Sequence, residues 1–205
     1  MELRRILLAT SNPKKAEEMK RLLESYSFQV EIPKEEIEVQ EGGSSFLENA
    51  FIKAQAYYEK YRMPTLADDS GLVVYALGGY PGVFSSRFYE HEYGGKEEVK
   101  TSKDEANIRK LLRLMEGVKD RRAKFVAFLV LSLGDAGYWS MGECEGIILE
   151  EPKGSEGFGY DPIFQPEGMQ KSMAQLKPEE KDAISHRGKA IRNLVKIIAG
   201  GRGYE

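Results

Sequence analysis

Apolar residues recur along this chain at two spacings, one suited to strands and one to helices. Arg5 to Ala9 is a short apolar run that enters Thr10-Ser11-Asn12-Pro13. That predicts a strand followed by a helix, because Asn12 can cap the helix and Pro13 fits its first position. Ala16, Met19, Leu22, Leu23 and Tyr26 then fall on one helical face. Val30 to Val39 mixes apolar and acidic residues and predicts an edge strand, and Gln40 to Ser44 predicts a loop. Ser45 and Glu48 have capping-box spacing ahead of Leu47, Ala50, Phe51, Ala54, Tyr57, Tyr58 and Tyr61. Pro64 ends that helix. Thr65-Leu66-Ala67 predicts a strand that stops at a turn, Asp68-Asp69-Ser70-Gly71. Leu72 to Tyr75 precedes a glycine-rich turn, Gly78 to Gly82. Ser102 and Glu105 cap a helix that carries Ile108, Leu111, Leu112 and Met115 on one side. Phe125 to Leu133 is apolar on both alternating faces, which predicts a central strand covered on both sides. Gly134-Asp135-Ala136-Gly137 is a turn signal, so Tyr138 to Leu149 is expected to return antiparallel. Gly154 to Pro162 is a loop rich in glycine and aromatics. The last helix follows Ser185-His186-Arg187, buries Ile191, Leu194, Val195 and Ile198, and stops at Gly200-Gly201. This order of runs predicts an α/β fold with a mixed sheet flanked by helices.

Composition narrows the function. At 205 residues the chain suits a single domain, 1–205, undivided or of two lobes. Hydrophobic residues at 41% and charged residues at 31% exclude a disordered chain. With Lys+Arg 30 against Asp+Glu 33, no basic excess points to nucleic acid. Affinity for phosphate must then come from a few placed side chains. The N-terminal apolar run is too short for a signal peptide, and none approaches the roughly 18 apolar residues of a membrane helix. A cytoplasmic protein is expected. The single cysteine, Cys144, allows no internal disulfide and fits a reducing compartment. No base lies beside it in sequence, so it is expected to be a structural thiol.

Five segments carry candidate chemistry, and each has an ordinary structural alternative. Thr10-Ser11-Asn12-Pro13-Lys14-Lys15 opens a helix whose N–H groups, hydroxyls and Lys15 could hold a triphosphate. The alternative is a plain helix cap with surface lysines. In Ala67-Asp68-Asp69-Ser70-Gly71, two carboxylates at the end of an apolar strand are costly unless paired, and a magnesium ion is the usual partner. The alternative is a polar turn. Glu41 lies in a glycine-rich loop that could reach that metal. Lys53 lies about 100° around its helix from core residue Ala54 and can point to a groove. Taken alone, Lys53 reads as a solvated lysine and Glu48 as a helix cap. In Gly154 to Pro162, Phe158 or Tyr160 could stack on a base and Asp161 could orient a neighbour or accept a base N–H. The alternative is a loop with buried aromatics. Lys181 and Ile184-Ser185-His186-Arg187-Gly188 put cations at a helix start, where an anionic or acceptor-rich ligand would offset the helix dipole. The alternative is a solvent-facing helix start. His91, in Tyr89-Glu90-His91-Glu92-Tyr93, has no such context and is expected at the surface.

Taken together, these segments bear a resemblance. Thr10-x-Asn12-x-x-Lys15, Glu41, Glu48-Asn49-Ala50-x-x-Lys53-Ala54 and Ala67-Asp68-Asp69-Ser70-Gly71 are followed by Pro81-Gly82-x-x-Ser85-x-Arg87. Gly157-Phe158-Gly159-Tyr160-Asp161-Pro162 and Ser185-His186-Arg187-Gly188 complete the set. This combination resembles the inosine-triphosphatase-like pyrophosphatases, which remove ITP, dITP and XTP from the nucleotide pool. The resemblance runs from about residue 6 to 198, and its specificity lies in the spaced set rather than in any one piece. It implies a long mixed sheet, two lobes with a cleft between them, Mg²⁺ dependence and a homodimer. By the same resemblance, Thr10, Ser11, Asn12, Lys15 and Lys53 would hold the phosphates, and Pro13 and Lys14 belong to the same substrate-binding segment. Glu41 and Asp69 would bind Mg²⁺ with Asp68 close by, and Asp69 would be the proton acceptor. Ser70, Phe158, Gly159, Tyr160, Asp161, Lys181, His186 and Arg187 would contact substrate, the last group chiefly at the base. The nearest rival is the Maf-like pyrophosphatases of the same fold. Thr10 to Lys15 departs from their Ser-x-Ser-Pro-Arg-Arg pattern, and they lack Ser-His-Arg-Gly. A non-catalytic nucleotide sensor is a rival of another class, but it would need no water-activating carboxylate.

Overall fold

The computed structural model describes residues 3–40 and 42–200. Its elements are β1 (Arg5–Ala9), α1 (Pro13–Glu24), β2 (Gln29–Glu31), α2 (Phe46–Tyr61), β3 (Thr65–Val74), α3 (Lys103–Leu114), β4 (Arg122–Ser132), β5 (Gly137–Ile148), β6 (Phe164–Pro166), α4 (Pro178–Ile184) and α5 (His186–Gly200). The six strands form one sheet in the order β2-β1-β3-β4-β5-β6. β1 runs parallel to β2 and to β3, and β5 runs antiparallel to β6. Only residues 133–136 join β4 to its neighbour β5, closed by Leu133 N–H on Ala136 O at 2.9 Å. A parallel crossover needs a dozen or more residues, so this pair is an antiparallel hairpin. The sheet is mixed, as the order of apolar runs predicts.

The chain folds as two compact units. One contains the chain up to Asp69, Ala127–Gly142 and the chain from His186; the other contains Ser70–Val126 and Glu143–Ser185. In the first unit, strand alternation assigns each side chain a layer. Ile6 and Leu8 of β1, Leu66 of β3 and Leu129 and Leu131 of β4 pack with Met19 and Leu23 of α1 and Ile191 and Leu194 of α5. Leu7, Ala9, Ala67 and Val130 point the other way, onto Ala50, Ala54 and Tyr57 of α2. The central strands are thus covered on both faces, which is why their sequences are continuously apolar. In the second unit Leu72, Val74, Phe88, Leu111, Phe125, Ile163 and Phe164 form the core, and Cys144 is buried among them. No helix among the described residues is long and apolar enough to cross a membrane.

Several expectations are corrected. Asp68-Asp69-Ser70-Gly71 is not a turn: β3 continues through it to Val74. Fully buried Leu72 and Val74 extend the strand beyond it. The edge strand expected over Val30–Val39 is present only at Gln29–Glu31. Beyond it, tyrosines rather than a ladder take the backbone, with Glu35 N–H on Tyr61 Oη and Ile37 N–H on Tyr57 Oη. Tyr26 lies past the end of α1 and is exposed, and Phe51 of α2 is exposed as well. Ser45 caps α2 by accepting Glu48 N–H, but the Glu48 carboxylate turns to Ser44 N–H at 2.8 Å. His91 is half-buried, its ring 4.2 Å from that of Phe84. The short helix α4 has no counterpart among the predicted elements.

Candidate active site

The alternation of β3 separates the two adjacent carboxylates. Asp68 follows Leu66 onto the α1 and α5 face, and Asp69 follows Ala67 onto the α2 face. Each carboxylate accordingly meets different partners. Lys15 of α1 places Nζ 2.6 Å from Asp68 Oδ1, and Arg187 of α5 places Nε 3.2 Å from Asp68 Oδ2. The same guanidinium lies 3.5 Å from Glu18 Oε1. Burial opposes the ionised form of Asp68, yet Lys15 and Arg187 hold its carboxyl well below the usual carboxylate range. Asp68 is therefore a fixed anion that organises cations. Asp69 differs. Burial pushes its carboxyl up to about 6, against the opposing pull of Lys53 and Lys15. Asn49 Nδ2 of α2 donates to Asp69 Oδ2 at 3.1 Å, and Lys53 Nζ donates to the Asp68 carbonyl at 3.2 Å. One strand thus carries a permanently ionised carboxylate and, next to it, one that titrates near neutrality.

The α1 cap is built as expected. Asn12 Oδ1 accepts from Lys14 N–H at 3.0 Å and Lys15 N–H at 3.1 Å, and Thr10 Oγ1 accepts Asn12 N–H at 3.2 Å. Ser11, Pro13 and Lys14 are exposed, whereas the Lys15 side chain turns inward to Asp68. The start of α5 is buried rather than solvent-facing, with His186 and Arg187 3% and 4% exposed. Gly142 of β5 makes this possible, because a Cβ there would lie 2.2 Å from His186 O and 2.4 Å from Ala190 N. Arg187, expected at the base, has its guanidinium on Asp68 and Glu18.

In the second unit the residue 157–161 loop is internally braced. Asp161 is buried, and its Oδ2 accepts Phe158 N–H at 3.0 Å and Lys181 Nζ at 2.8 Å. Lys181 Nζ lies 4.9 Å from the centre of the half-buried Phe158 ring. A Cβ on Gly157, at φ +74, would meet Asp161 Oδ2 at 2.1 Å, so the brace requires glycine there. Tyr160 is buried in the core, and its hydroxyl donates to Ser85 O at 2.8 Å. Of the two candidate stacking rings, Phe158 is the one at the surface of the loop. Ser70 is half-buried on β3.

Three residues of these networks carry no role expected from the sequence: Asn49, Glu18 and Asp104, whose Oδ2 accepts Gly159 N–H at 2.9 Å. Asn49 is buried beside core residue Ala50 on α2, and a polar side chain next to a core position was the available signal. Its Oδ1 also accepts Gly43 N–H at 2.9 Å, tying the loop before α2 to Asp69. Glu18 looks in sequence like any acidic residue of a surface helix. Glu41, the other expected metal ligand, lies outside the described residues. Among the described residues no cluster of three or more His, Cys, Asp or Glu side chains is arranged for a metal ion. Asp69 does fit one by its chemistry: it is an oxygen donor whose negative charge burial disfavours, and a hard divalent cation satisfies such a group.

Known proteins match this chain closely. A model of the Ham1 family matches residues 6–197. The dITP/XTP pyrophosphatase of Aquifex aeolicus (strain VF5) is 57% identical over 194 residues, spanning 95% of this chain and 96% of that protein. The dITP/XTP pyrophosphatase of Hydrogenobaculum sp. (strain Y04AAS1) is 45% identical over 208 residues, spanning 95% and 98%. The solved structure of the Staphylococcus aureus Ham1 protein superposes with a TM-score of 0.79 at 38% identity, over 96% of this chain and 99% of that one. Match, identity and fold agree over nearly the whole length, and the chain belongs to the Ham1 family.

Proposed function

We propose that this chain is a nucleoside triphosphate pyrophosphatase that hydrolyses the non-standard purine nucleotides ITP, dITP and XTP to the monophosphate and pyrophosphate. The observation that carries this reading is the division of labour on β3. Asp68 is held ionised by Lys15 and Arg187, while Asp69 sits at about 6 beside Lys53. A general base works best with a pKa near the operating pH, and Asp69 meets that condition. Asp69 accepts a proton from water, and the water oxygen attacks the α-phosphorus. The bond from the α-phosphorus to the bridging oxygen breaks, and its electron pair leaves with pyrophosphate. Lys15 and Lys53 offset charge on the departing group, and Thr10, Ser11 and Asn12 bind phosphate oxygens. Asp69 and Glu41 would hold Mg²⁺, which when bound neutralises phosphate charge. The names of the dITP/XTP pyrophosphatase relatives support the same substrate class. The reading includes a homodimer working in the cytoplasm.

Base choice follows from hydrogen-bond chemistry. Hypoxanthine and xanthine carry a 6-keto acceptor, whereas adenine carries an amino donor there. The base goes to the loop of Phe158, beside Lys181, which can only donate. A site built on such a donor rejects adenine, by up to about 10⁴-fold. Guanine shares the 6-keto group and must be excluded at its 2-amino group, so GTP is expected to be weak. Comparing kcat/KM for ITP, dITP, XTP, ATP and GTP with Mg²⁺ tests this. The first three are expected to be good substrates. Equal turnover of ATP and ITP would contradict the donor argument, and tight binding without turnover would make the chain a sensor.

A further inference from the structure

We infer that Asp104 is a positioning residue for recognition of the base, acting through the backbone of the loop that carries Phe158. The inference rests on the proposed function, in which that loop receives the base. Phe158 stands between Gly157 at φ +74 and Gly159 at φ +60. Two glycines in the left-handed region give this stretch more conformational freedom than any other residue pair would, so something must hold the ring in place. On the near side of the ring, Asp161 accepts Phe158 N–H; further along, Tyr160 is anchored on Ser85. Between these two anchors lies the Gly159 N–H, and it donates to Asp104 Oδ2 at 2.9 Å across 55 positions of sequence. Asp104 lies in the first turn of α3, where the helix dipole favours a carboxylate and where Ser102 caps the helix independently by accepting Glu105 N–H. It is exposed and lies outside the core, so nothing in the packing of α3 requires an acid there. Its hydrogen bond fixes the peptide that follows Phe158 and thereby the plane of the ring. Asp104 has no part in the proton transfer or the phosphate contacts proposed above, so its effect belongs to binding and not to the chemical step.

The test is a kinetic comparison in the full-length protein of wild type with Asp104→Ala, Asp104→Asn and Asp104→Gln, with melting temperatures to confirm folding. Loss of an interaction that binds ground state and transition state equally raises KM and leaves kcat alone. Asp104→Ala is expected to raise KM for ITP and the inhibition constant of inosine monophosphate by about tenfold, the loss typical of a hydrogen bond to a charged acceptor. kcat and inhibition by pyrophosphate should stay near wild type. Asp104→Asn keeps an acceptor oxygen in place and should recover most of the loss, whereas Asp104→Gln displaces that oxygen and should resemble the alanine variant. Unchanged KM and inosine monophosphate inhibition in Asp104→Ala and Asp104→Gln would overturn the inference, as would a fall in kcat at constant KM. Wild-type protein that makes no monophosphate and pyrophosphate from ITP would instead overturn the proposed function.

Discussion

Asp69→Asn is expected to lower kcat by at least about 100-fold, the usual consequence of removing a general base, and at the same time to stabilise the protein at neutral pH. The two effects share a cause. Burial makes the Asp69 anion costly and pushes its carboxyl up to about 6 from an ordinary value of 3.8. The folded state therefore binds a proton more tightly than the unfolded chain does. Stability attributable to this group is fully present below about pH 4 and is lost as pH rises through about 6. The whole gap corresponds to about 3 kcal/mol at neutral pH. Asparagine has the same shape, keeps an oxygen to accept Asn49 Nδ2, and carries no charge. Urea unfolding of metal-free wild type and variant at pH 4 and pH 8 checks this. The curves should nearly coincide at the lower pH, with the variant the more stable at the higher. A variant less stable than wild type at pH 8, or one that keeps near-normal turnover, would remove Asp69 from its assigned role.

Arg187→Met is expected to have the largest effect on stability. The guanidinium is buried against Asp68 and Glu18, and all three side chains are at most 4% exposed. Methionine fills much of the volume but leaves two buried carboxylates without that cation. Breaking a buried ionic group by removing one partner costs about 3–5 kcal/mol. For a protein of this size that corresponds to a fall in Tm of roughly 6–20 °C. The loss should shrink at low pH, where Asp68 and Glu18 can take up protons. Calorimetry at pH 7 and pH 4 measures both parts. A Tm within about 2 °C of wild type at pH 7 would show that Lys15 alone suffices to hold Asp68.

Much of the first unit could be read directly from residue order. The strand Arg5–Ala9, the Asn12 cap, the helix behind Ser45 and the central strand before Gly134 follow from local periodicity and capping, which neighbouring residues determine. The misreading of Asp68-Asp69-Ser70-Gly71 has a clear physical source. Adjacent aspartates followed by Ser-Gly have turn composition, and their partners lie on three different helices, α1, α2 and α5. Long-range charge pairing overrode local propensity there. The same limit hid Glu18, whose partner Arg187 is far away in sequence, and Asp104, whose partner is the backbone N–H of a glycine. The candidate residues themselves were legible as a spaced set. Their division into a fixed anion and a titrating one was not, because it depends on which face of β3 each side chain takes.

In the proposed reaction water attacks the α-phosphorus. Turnover of ITP in water enriched in ¹⁸O, with mass analysis of both products, tests it most directly. One labelled oxygen is expected in inosine monophosphate and none in pyrophosphate. Label in pyrophosphate, or release of inosine diphosphate and orthophosphate, would contradict it.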